Sequence, residues 1–362
     1  MKIGIVGLPN VGKSTIFNAL TKSKAARAEN FPFCTIDPNV GLVEVPDYRM
    51  KHLAEIVKPE RVLPAVVEFV DIAGLVKGAS EGEGLGNKFL ANIRECEAIA
   101  QVVRYFEDDD VHHVHGNIDP KRDVEIIQTE LILADLQTVE KRYGKASGDA
   151  KTGKKEAVVY LNLIERLKNH LESGGMACEV DLTEDEELEI RDLHLLTAKP
   201  IVYVVNVAEH EIAEFDISKA RNVLGLPDHS RLVPISAKIE EDLMQLPEED
   251  AQEFLKEYGL EEPGLNRLIR EAYDTLGLHT YFTAGVKEVR AWTIPKGASA
   301  PQAAGKIHTD FEKGFIRAEV VAYNDYLAHK GEKGARDVGK LRSEGKSYIV
   351  ADGDVMHFLT SN

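Results

Sequence analysis

The residues with the clearest chemical role form a glycine-rich stretch, Gly7-Leu8-Pro9-Asn10-Val11-Gly12-Lys13-Ser14-Thr15. It fits the spacing G-x-x-x-x-G-K-[ST], with a strand-like apolar run before it and a helix-like run after it. The backbone N–H groups of such a loop, and of the helix that follows, attract phosphate oxygens. A glycine turn without a ligand would not need Lys-Ser at the helix mouth. We therefore predict that Lys13 contacts the β and γ phosphates of a nucleotide, that Ser14 binds Mg²⁺, and that Asn10, Val11, Gly12 and Thr15 complete the phosphate site.

Two later segments supply further candidate ligands. The second apolar run ends in Val70-Asp71-Ile72-Ala73-Gly74, a D-x-x-G motif placed after the phosphate loop. We predict that the Asp71 carboxylate holds Mg²⁺ through water and that the Gly74 N–H reaches the γ-phosphate. Thr35, between these motifs in a proline-containing stretch, is the candidate for a second hydroxyl ligand of Mg²⁺. A surface turn is the alternative for that stretch.

Water activation has no obvious residue in the expected place. A Ras-type enzyme has a glutamine directly after the D-x-x-G glycine, where this chain has Leu75. A leucine cannot orient water, so hydrolysis is slow or another residue supplies the polar group. His112, His113 and His115 follow a predicted strand and could approach the nucleotide, but solvated loop histidines are the alternative.

The predicted base-recognition segment departs from the guanine motif N-K-x-D. The matching strand ends at Asn206, with Val207 in the lysine position and Glu209 in the aspartate position. The additional methylene of Glu209 displaces the carboxylate from its bidentate contact with guanine, and such a loss can cost discrimination of roughly 10⁴. Asn206 can face the adenine N6 amine and Val207 can offer an apolar edge, while Ser236-Ala237-Lys238 resembles a loop that closes over the base. We expect ATP in preference to GTP.

The composition limits the class of protein. The 362 residues carry a net charge of −17 and 43% hydrophobic residues, so the chain can build a large core but is not a bulk nucleic-acid binder. Residues 281–362 hold 12 Lys/Arg and 10 Asp/Glu, which sets this part apart in charge. Cys34, Cys96 and Cys178 lack zinc-site spacing, which favours a reducing cytosol. We expect a cytoplasmic chain without a signal peptide or membrane span.

Alternating strand-like and helix-like segments predict the fold class. Strand-like apolar runs at 2–6, 65–70, 98–106, 200–207 and 232–235 alternate with helical patterns, which is typical of a parallel sheet covered by helices. Between residues 120 and 198 the spacing is helical, with an exposed link expected at 143–155. We predict an inserted antiparallel helical arm there, extra packing on the core being the alternative.

These patterns divide the chain into three predicted domains. Residues 1–119 and 199–279 form the nucleotide-binding α/β domain, 120–198 the helical insertion, and 280–362 a small β-rich domain with a helix at 300–311. In the last domain, strands are expected at 286–293, 317–322 and 347–350.

Together these motifs resemble the Obg-like ATPase family, also called YchF, among the translation-factor-related P-loop NTPases. The resemblance extends over the whole chain and depends on residues 7–15, 30–38 and 71–79 and on the altered Asn206/Glu209 motif. Residues 281–292 and 305–317 resemble the TGS domain of that family, a β-grasp module. The resemblance implies a P-loop fold with a coiled-coil arm, ATP hydrolysis in preference to GTP, contact with ribosomes, and a regulatory role in translation or stress responses.

The resemblance also implies roles for individual residues. His113 matches the proposed catalytic histidine of the family, acting beside Lys13, and Asn10 matches an asparagine that related enzymes use for K⁺. We expect a monomeric switch that alters its contacts with a ribosome or RNA when the γ-phosphate is lost. Candidate RNA contacts are Lys306, His308, Lys313 and Arg317, a solvated face being the alternative. The other functions left open are an Obg-type GTPase and a nucleotide-gated binding protein with incidental turnover.

Overall fold

The structure, a computed structural model, describes residues 1–22, 39–72, 85–106 and 119–361. These residues cluster into two compact units: residues 1–42 with 68–272, and residues 43–67 with 273–362. The second unit therefore combines the C-terminal segment with a short piece from near the start of the chain. No helix in the described ranges has both the length and the apolar composition that a membrane span requires.

The strands of the described residues run in chain order as follows: β1 (Lys2–Gly7), β2 (Val40–Glu44), β3 (Arg61–Leu63), β4 (Val66–Asp71), β5 (Ala98–Arg104), β6 (Ile201–Asn206), β7 (Arg231–Ile235), β8 (Leu278–Ala284), β9 (Glu288–Pro295), β10 (Phe315–Ala322), β11 (Arg342–Glu344) and β12 (Asp354–Thr360).

The helices are α1 (Lys13–Lys22), α2 (Arg49–Val57), α3 (Leu85–Arg94), α4 (Pro120–Ala150), α5 (Lys155–Glu172), α6 (Glu184–Ile190), α7 (Ile217–Leu224), α8 (Ala237–Leu243), α9 (Glu248–Glu257), α10 (Gly264–Thr275), α11 (Ala300–Ile307), α12 (Thr309–Lys313), α13 (Tyr323–Ala328) and α14 (Glu332–Asp337). Short 3-10 turns cover Ala177–Glu179, Arg191–Leu193 and Glu209–Glu211.

The first sheet has the order β2-β4-β1-β5-β6-β7. Neighbouring strands from β4 to β7 pair in parallel, so their carboxyl ends meet at one edge of the sheet. Strand β5 is buried along its whole length, as expected of a central strand covered on both faces. The predicted parallel α/β sheet is confirmed, and β2 is an edge strand that the sequence analysis did not identify.

The inserted segment forms a helical hairpin in which α4 packs against α5. Its apolar contact cluster includes Val139, Leu163 and Leu167, and the Arg142 guanidinium hydrogen-bonds the Tyr160 hydroxyl at 2.6 Å. Helix α6 begins at a capping box formed by Thr183 and Glu186. The predicted link at 143–155 is too long, because α4 continues through Gly144 and Gly148 to Ala150 and leaves only residues 151–154 between the helices.

The second unit is built on a mixed sheet of order β11-β10-β12-β8-β9-β3. Helix α11 covers it and contributes Ala300, Ala303 and Ala304 to a core that also contains Tyr281 and Phe358. The small side chains of α11 let its backbone approach the sheet closely. The result matches the helix-on-sheet arrangement expected for this part of the chain.

Two local predictions for the second unit need correction, and two strands were missed. The helix predicted at 300–311 is interrupted at His308, whose Nδ1 accepts a hydrogen bond from the Asp310 N–H and starts α12. Residues 347–350 do not form a strand, apart from an isolated bridge between Ser299 and Ile349. Strands β8 and β12 were not predicted, although both lie inside the sheet.

Candidate nucleotide-binding site

The phosphate loop connects β1 to α1 at the carboxyl edge of the first sheet. Gly12 has a φ of +95°, and a Cβ there would lie 2.3 Å from Asn206 Nδ2, so only glycine fits without displacing that amide. Asn10 also has a left-handed backbone, with a φ of +65°. The Ile16 N–H donates to the Gly12 carbonyl at 3.0 Å, which makes Gly12 the entry to α1. The predicted strand, glycine loop and helix are therefore all present.

The reactive side chains at the helix mouth occupy distinct environments. Lys13 is buried and forms an ion pair with Asp71, whereas the Ser14 side chain is exposed and Thr15 is half-buried. Asp71 ends β4, and β4 pairs with β1 in a register that sets Asp71 opposite Ile5. A hydroxyl, a carboxylate and an ammonium group are the set of polar groups expected of a magnesium and phosphate site.

Asn206 connects the phosphate loop to the predicted base-recognition loop. Its Nδ2 donates to the Val11 carbonyl at 2.9 Å, and its Oδ1 accepts from the Ala237 N–H at 3.0 Å. The side chain is only 3% exposed. Sequence reasoning assigned this amide to the adenine N6 amine, but the structure uses it to hold two backbone segments together. Asn206 therefore fixes the two loops relative to each other, in addition to any contact that it makes with the base.

Other residues of the predicted base site differ in accessibility. Val207 is 1% exposed and packs in an apolar cluster with Val103 and Val205, so it offers no free edge to a base. Glu209 is half-buried at the start of a 3-10 turn. Ser236 is buried, and its Oγ has no hydrogen-bond partner among the described residues. A buried hydroxyl of this kind next to Ala237 suits a polar ligand at this position.

Comparisons with known proteins identify the family. Residues 2–141 match the family described as 50S ribosome-binding GTPase, and residues 278–361 match the YchF-GTPase_C family, described as a protein of unknown function. The chain is 57% identical over 358 residues to the Ribosome-binding ATPase YchF of Escherichia coli O157:H7, covering 99% of this chain and 98% of that protein. The chain belongs to the YchF family.

Further YchF proteins support this placement. The Ribosome-binding ATPase YchF of Bacillus subtilis (strain 168) is 54% identical over 360 residues, covering 98% of each chain. The solved structure of the Schizosaccharomyces pombe YchF GTPase superposes with a TM-score of 0.88 at 41% identity, covering 99% of this chain and 97% of that one. The family resemblance and the fold class inferred from the motifs are thus confirmed.

Several residues predicted for this YchF site lie outside the described residues. They are Thr35, Gly74 and His113, together with Leu75, His112 and His115. The remaining set lies at the carboxyl ends of four strands of the first sheet: Asp71 on β4, the phosphate loop after β1, Asn206 on β6 and the Ser236–Ala237 segment after β7, with β5 between β1 and β6.

Sequence reasoning missed two buried charged residues near this edge. Arg104 ends β5 opposite Asn206, is fully buried, and donates from Nε to the Phe106 carbonyl at 3.2 Å. Glu240, on the helix after Ala237, accepts from the Gly264 N–H at 2.7 Å and so caps α10. Burial raises the pKa of Glu240 to about 7. Neither residue belongs to a recognisable sequence motif. Their burial distinguishes them, and burial is visible only in the folded structure.

The four candidate RNA contacts in the second unit are exposed, as that role requires. Two of them already have acidic neighbours: His308 Nδ1 lies 3.4 Å from Asp310 Oδ2, and Arg317 Nη2 lies 3.6 Å from Glu319 Oε1. Lys306 lines a cleft of about 470 Å³ that also contains Lys296 and Glu312. These acidic neighbours reduce the positive charge that the four residues present to a polyanion.

Proposed function

We propose that this chain is an ATP hydrolase that acts as a nucleotide-controlled factor on ribosomes. The observation that supports this most is an intact phosphate site in a chain 57% identical, over nearly its full length, to a protein named ribosome-binding ATPase. The ion pair between Lys13 and Asp71 and the positive φ of Gly12 in the glycine loop support the proposal. Family membership and site geometry therefore lead to the same function.

The phosphate chemistry follows from charge. The N–H groups of residues 10–15 and the Lys13 ammonium surround the β and γ oxygens, and Lys13 stabilises the charge that develops during transfer. Mg²⁺ would be held by the hydroxyls of Ser14 and Thr35, with Asp71 contributing through water, and would neutralise phosphate charge when bound. Asp71 also holds the Lys13 side chain, so one carboxylate positions both cations.

Discrimination between ATP and GTP depends on the hydrogen bonds that guanine loses at this site. The half-buried Glu209 presents its carboxylate one methylene away from the position that guanine requires. Asn206 holds the loops, and the Ser236 hydroxyl and the backbone around Ala237 remain to contact the base. Glu209→Asp would shorten that side chain and shift affinity toward GTP, whereas Glu211→Asp, in the same turn, would leave the ratio unchanged.

Hydrolysis needs a polar group in place of the missing glutamine, and His113 is the proposed one. If it positions water, His113→Ala will lower the single-turnover rate while ATP affinity stays the same. An unchanged rate, with and without ribosomes, would favour a nucleotide-gated binding protein whose turnover is incidental. Slow basal hydrolysis is expected in either case because Leu75 cannot orient water.

The alternative enzyme is a GTPase, since the Schizosaccharomyces pombe relative is called a GTPase. Isothermal titration of nucleotide-free protein with ATP and GTP separates the two functions. ATP should bind at least tenfold more tightly than GTP, and Lys13→Ala should weaken the binding of both nucleotides. Tenfold tighter GTP binding would overturn the adenine assignment.

Several finer features belong to the same proposal. The chain works as a cytoplasmic monomer, K⁺ binds at Asn10, and domain boundaries lie near residues 120, 199 and 280. Lys306, His308, Lys313 and Arg317 contact RNA. Thr35 and Gly74 respond to the γ-phosphate, and its loss switches the contacts of the chain with its partner.

A further inference from the structure

The end of the helical hairpin carries a concentration of positive charge. We define the hairpin tip as residues 141–156, which contain six Lys/Arg and two Asp/Glu, a net charge of +4 in a chain of −17. Every side chain from Lys151 to Glu156 is exposed. Lys145 lies roughly 38 Å along α4 from Pro120, several Debye lengths at physiological salt. The tip therefore acts as a local positive surface on an acidic protein.

Most of these cations have no partner among the residues that the structure describes. Lys141, Lys145, Lys151, Lys154 and Lys155 form no ion pair with any residue that the structure describes. Arg142 is the exception, because its Nη2 lies 2.7 Å from Asp192 Oδ2. Five ammonium groups thus stay available to an external anion.

The same face of α4 carries glycines that the fold itself does not require. Gly144 and Gly148 share a face with Lys141 and Lys145, at helical spacings of three and four residues. A Cβ at either glycine would meet nothing within 4 Å, and neither has a positive φ. Glycine inside a helix lowers its stability. A flat surface bordered by lysines does, however, let an extended polyanion approach the helix closely.

We propose that the hairpin tip binds the phosphate backbone of ribosomal RNA, an inference that rests on the ribosome-binding function proposed above. Lysine ammonium groups act as point charges that bind phosphates without reading base sequence. An acidic protein repels RNA except where it presents a local excess of positive charge, and the tip is such a place. The regularly spaced phosphates of RNA complement five unpaired lysines on one short segment.

The test compares two triple variants of the full chain. The tip variant carries Lys145→Gln, Lys151→Gln and Lys154→Gln. The control carries Lys51→Gln, Lys219→Gln and Lys256→Gln, three exposed lysines outside residues 141–156 that also form no ion pair with described residues. Both variants lose three positive charges, so a difference in their binding reflects the location of the lysines and not the net charge.

Binding is measured by co-sedimentation with purified ribosomes, and with protein-free ribosomal RNA, across a salt series. The tip variant should bind both probes about tenfold or more weakly at 0.1 M salt, with a shallower salt dependence. The control variant should bind like the wild type. ATP turnover without ribosomes and the thermal unfolding midpoint should not change.

Each other outcome has a definite meaning. Equal ribosome binding by the tip variant and the wild type would overturn the tip assignment while leaving ribosome binding intact. Failure of the wild type to bind ribosomes would overturn the proposed function as well. A tip effect on ribosomes that is absent on protein-free RNA would identify an acidic protein partner and refute the RNA assignment.

A second variant tests the role of the glycines. Gly144→Ala with Gly148→Ala should raise the thermal unfolding midpoint and weaken ribosome binding, because two methyl groups keep the phosphate backbone away from the helix. Unchanged ribosome binding by this variant would refute the close approach of the RNA phosphate backbone to helix α4.

Discussion

Asn206→Ala is the most informative single change at the nucleotide site. Its carboxamide connects the Val11 carbonyl of the phosphate loop to the Ala237 N–H of the base loop, at 2.9 and 3.0 Å. Removing it separates two loops that come from opposite ends of the first unit's sequence. We expect both the stability of that unit and its affinity for nucleotide to fall.

The size of the effect follows from burial. Val11 is 1% exposed and Ala237 is 7% exposed, so a carbonyl and an N–H group would lose their partner with little access to water. An unsatisfied buried polar group costs about 1–3 kcal/mol, which gives roughly 2–6 kcal/mol for the two groups together. Loosening of the Ser236–Ala237 segment should weaken ATP binding by about tenfold or more, since at least 1.4 kcal/mol of positioning is lost.

Two measurements separate stability from positioning. Amide hydrogen exchange at Ala237 reports the broken hydrogen bond directly, and isothermal titration with ATP measures the affinity of the site for nucleotide. Asn222→Ala, at an exposed position of α7, is the matched control and should change the free energy of unfolding by less than about 0.5 kcal/mol. Asn206→Asp keeps an acceptor for Ala237 but sets a carboxylate against the Val11 carbonyl, so ATP affinity should still fall.

Unchanged protection of the Ala237 amide together with unchanged ATP affinity in Asn206→Ala would refute the loop-connecting role of Asn206. A loss of stability without any loss of affinity would limit Asn206 to a purely structural role.

Three further predictions follow from other buried charges. Lys13→Ala should weaken ATP binding by at least about 2 kcal/mol, measured by titration, and an intact affinity would remove Lys13 from the site. Burial raises the pKa of Glu240 from 4.5 to about 7. Protonated Glu240 therefore contributes stability to the fold that is fully present below pH 4.5 and is lost as the pH rises through 7. In the wild type, this lowers the free energy of unfolding by about 3 kcal/mol between pH 4.5 and 8, measured by urea unfolding, and Glu240→Gln should lack that decrease. An identical pH dependence in the wild type and the variant would contradict this role of Glu240. Asp135→Ala should destabilise the chain by about 3 kcal/mol in urea unfolding, because Asp135 accepts three hydrogen bonds of 2.6–2.8 Å from Leu196 and Thr197; a loss under 1 kcal/mol would refute this.

The parallel sheet could be predicted because its buried strands are nearly continuous apolar runs. Strand β5 and strand β6 show this pattern plainly, and each ends in a polar residue at the carboxyl edge, Arg104 and Asn206. Strand β3 could not be predicted in this way. It has three residues and pairs in parallel with β9, more than 220 positions later, so nothing near it in the chain specifies the pairing.

Helix α4 shows where local propensity misleads. Gly144 and Gly148 marked residues 143–155 as a loop, yet the helix passes through both. Packing of buried residues such as Val139 and Ala146 outweighs a glycine cost of about 1 kcal/mol each. Sequence alone gives the cost of the glycines but not the tertiary contacts that offset it.

The altered base motif also has a more definite physical meaning in the structure. The lysine position of N-K-x-D is occupied by Val207, whose side chain lies in the core, so a lysine there would have to bring its ammonium group out of an apolar cluster. Asn206 keeps its loop-connecting hydrogen bonds whichever base is bound. Neither residue adds a contact that only adenine could accept. A preference for ATP would then arise from the interactions that guanine loses at Glu209 and Val207, and the chain would bind ATP with modest affinity and discriminate mainly by rejecting GTP.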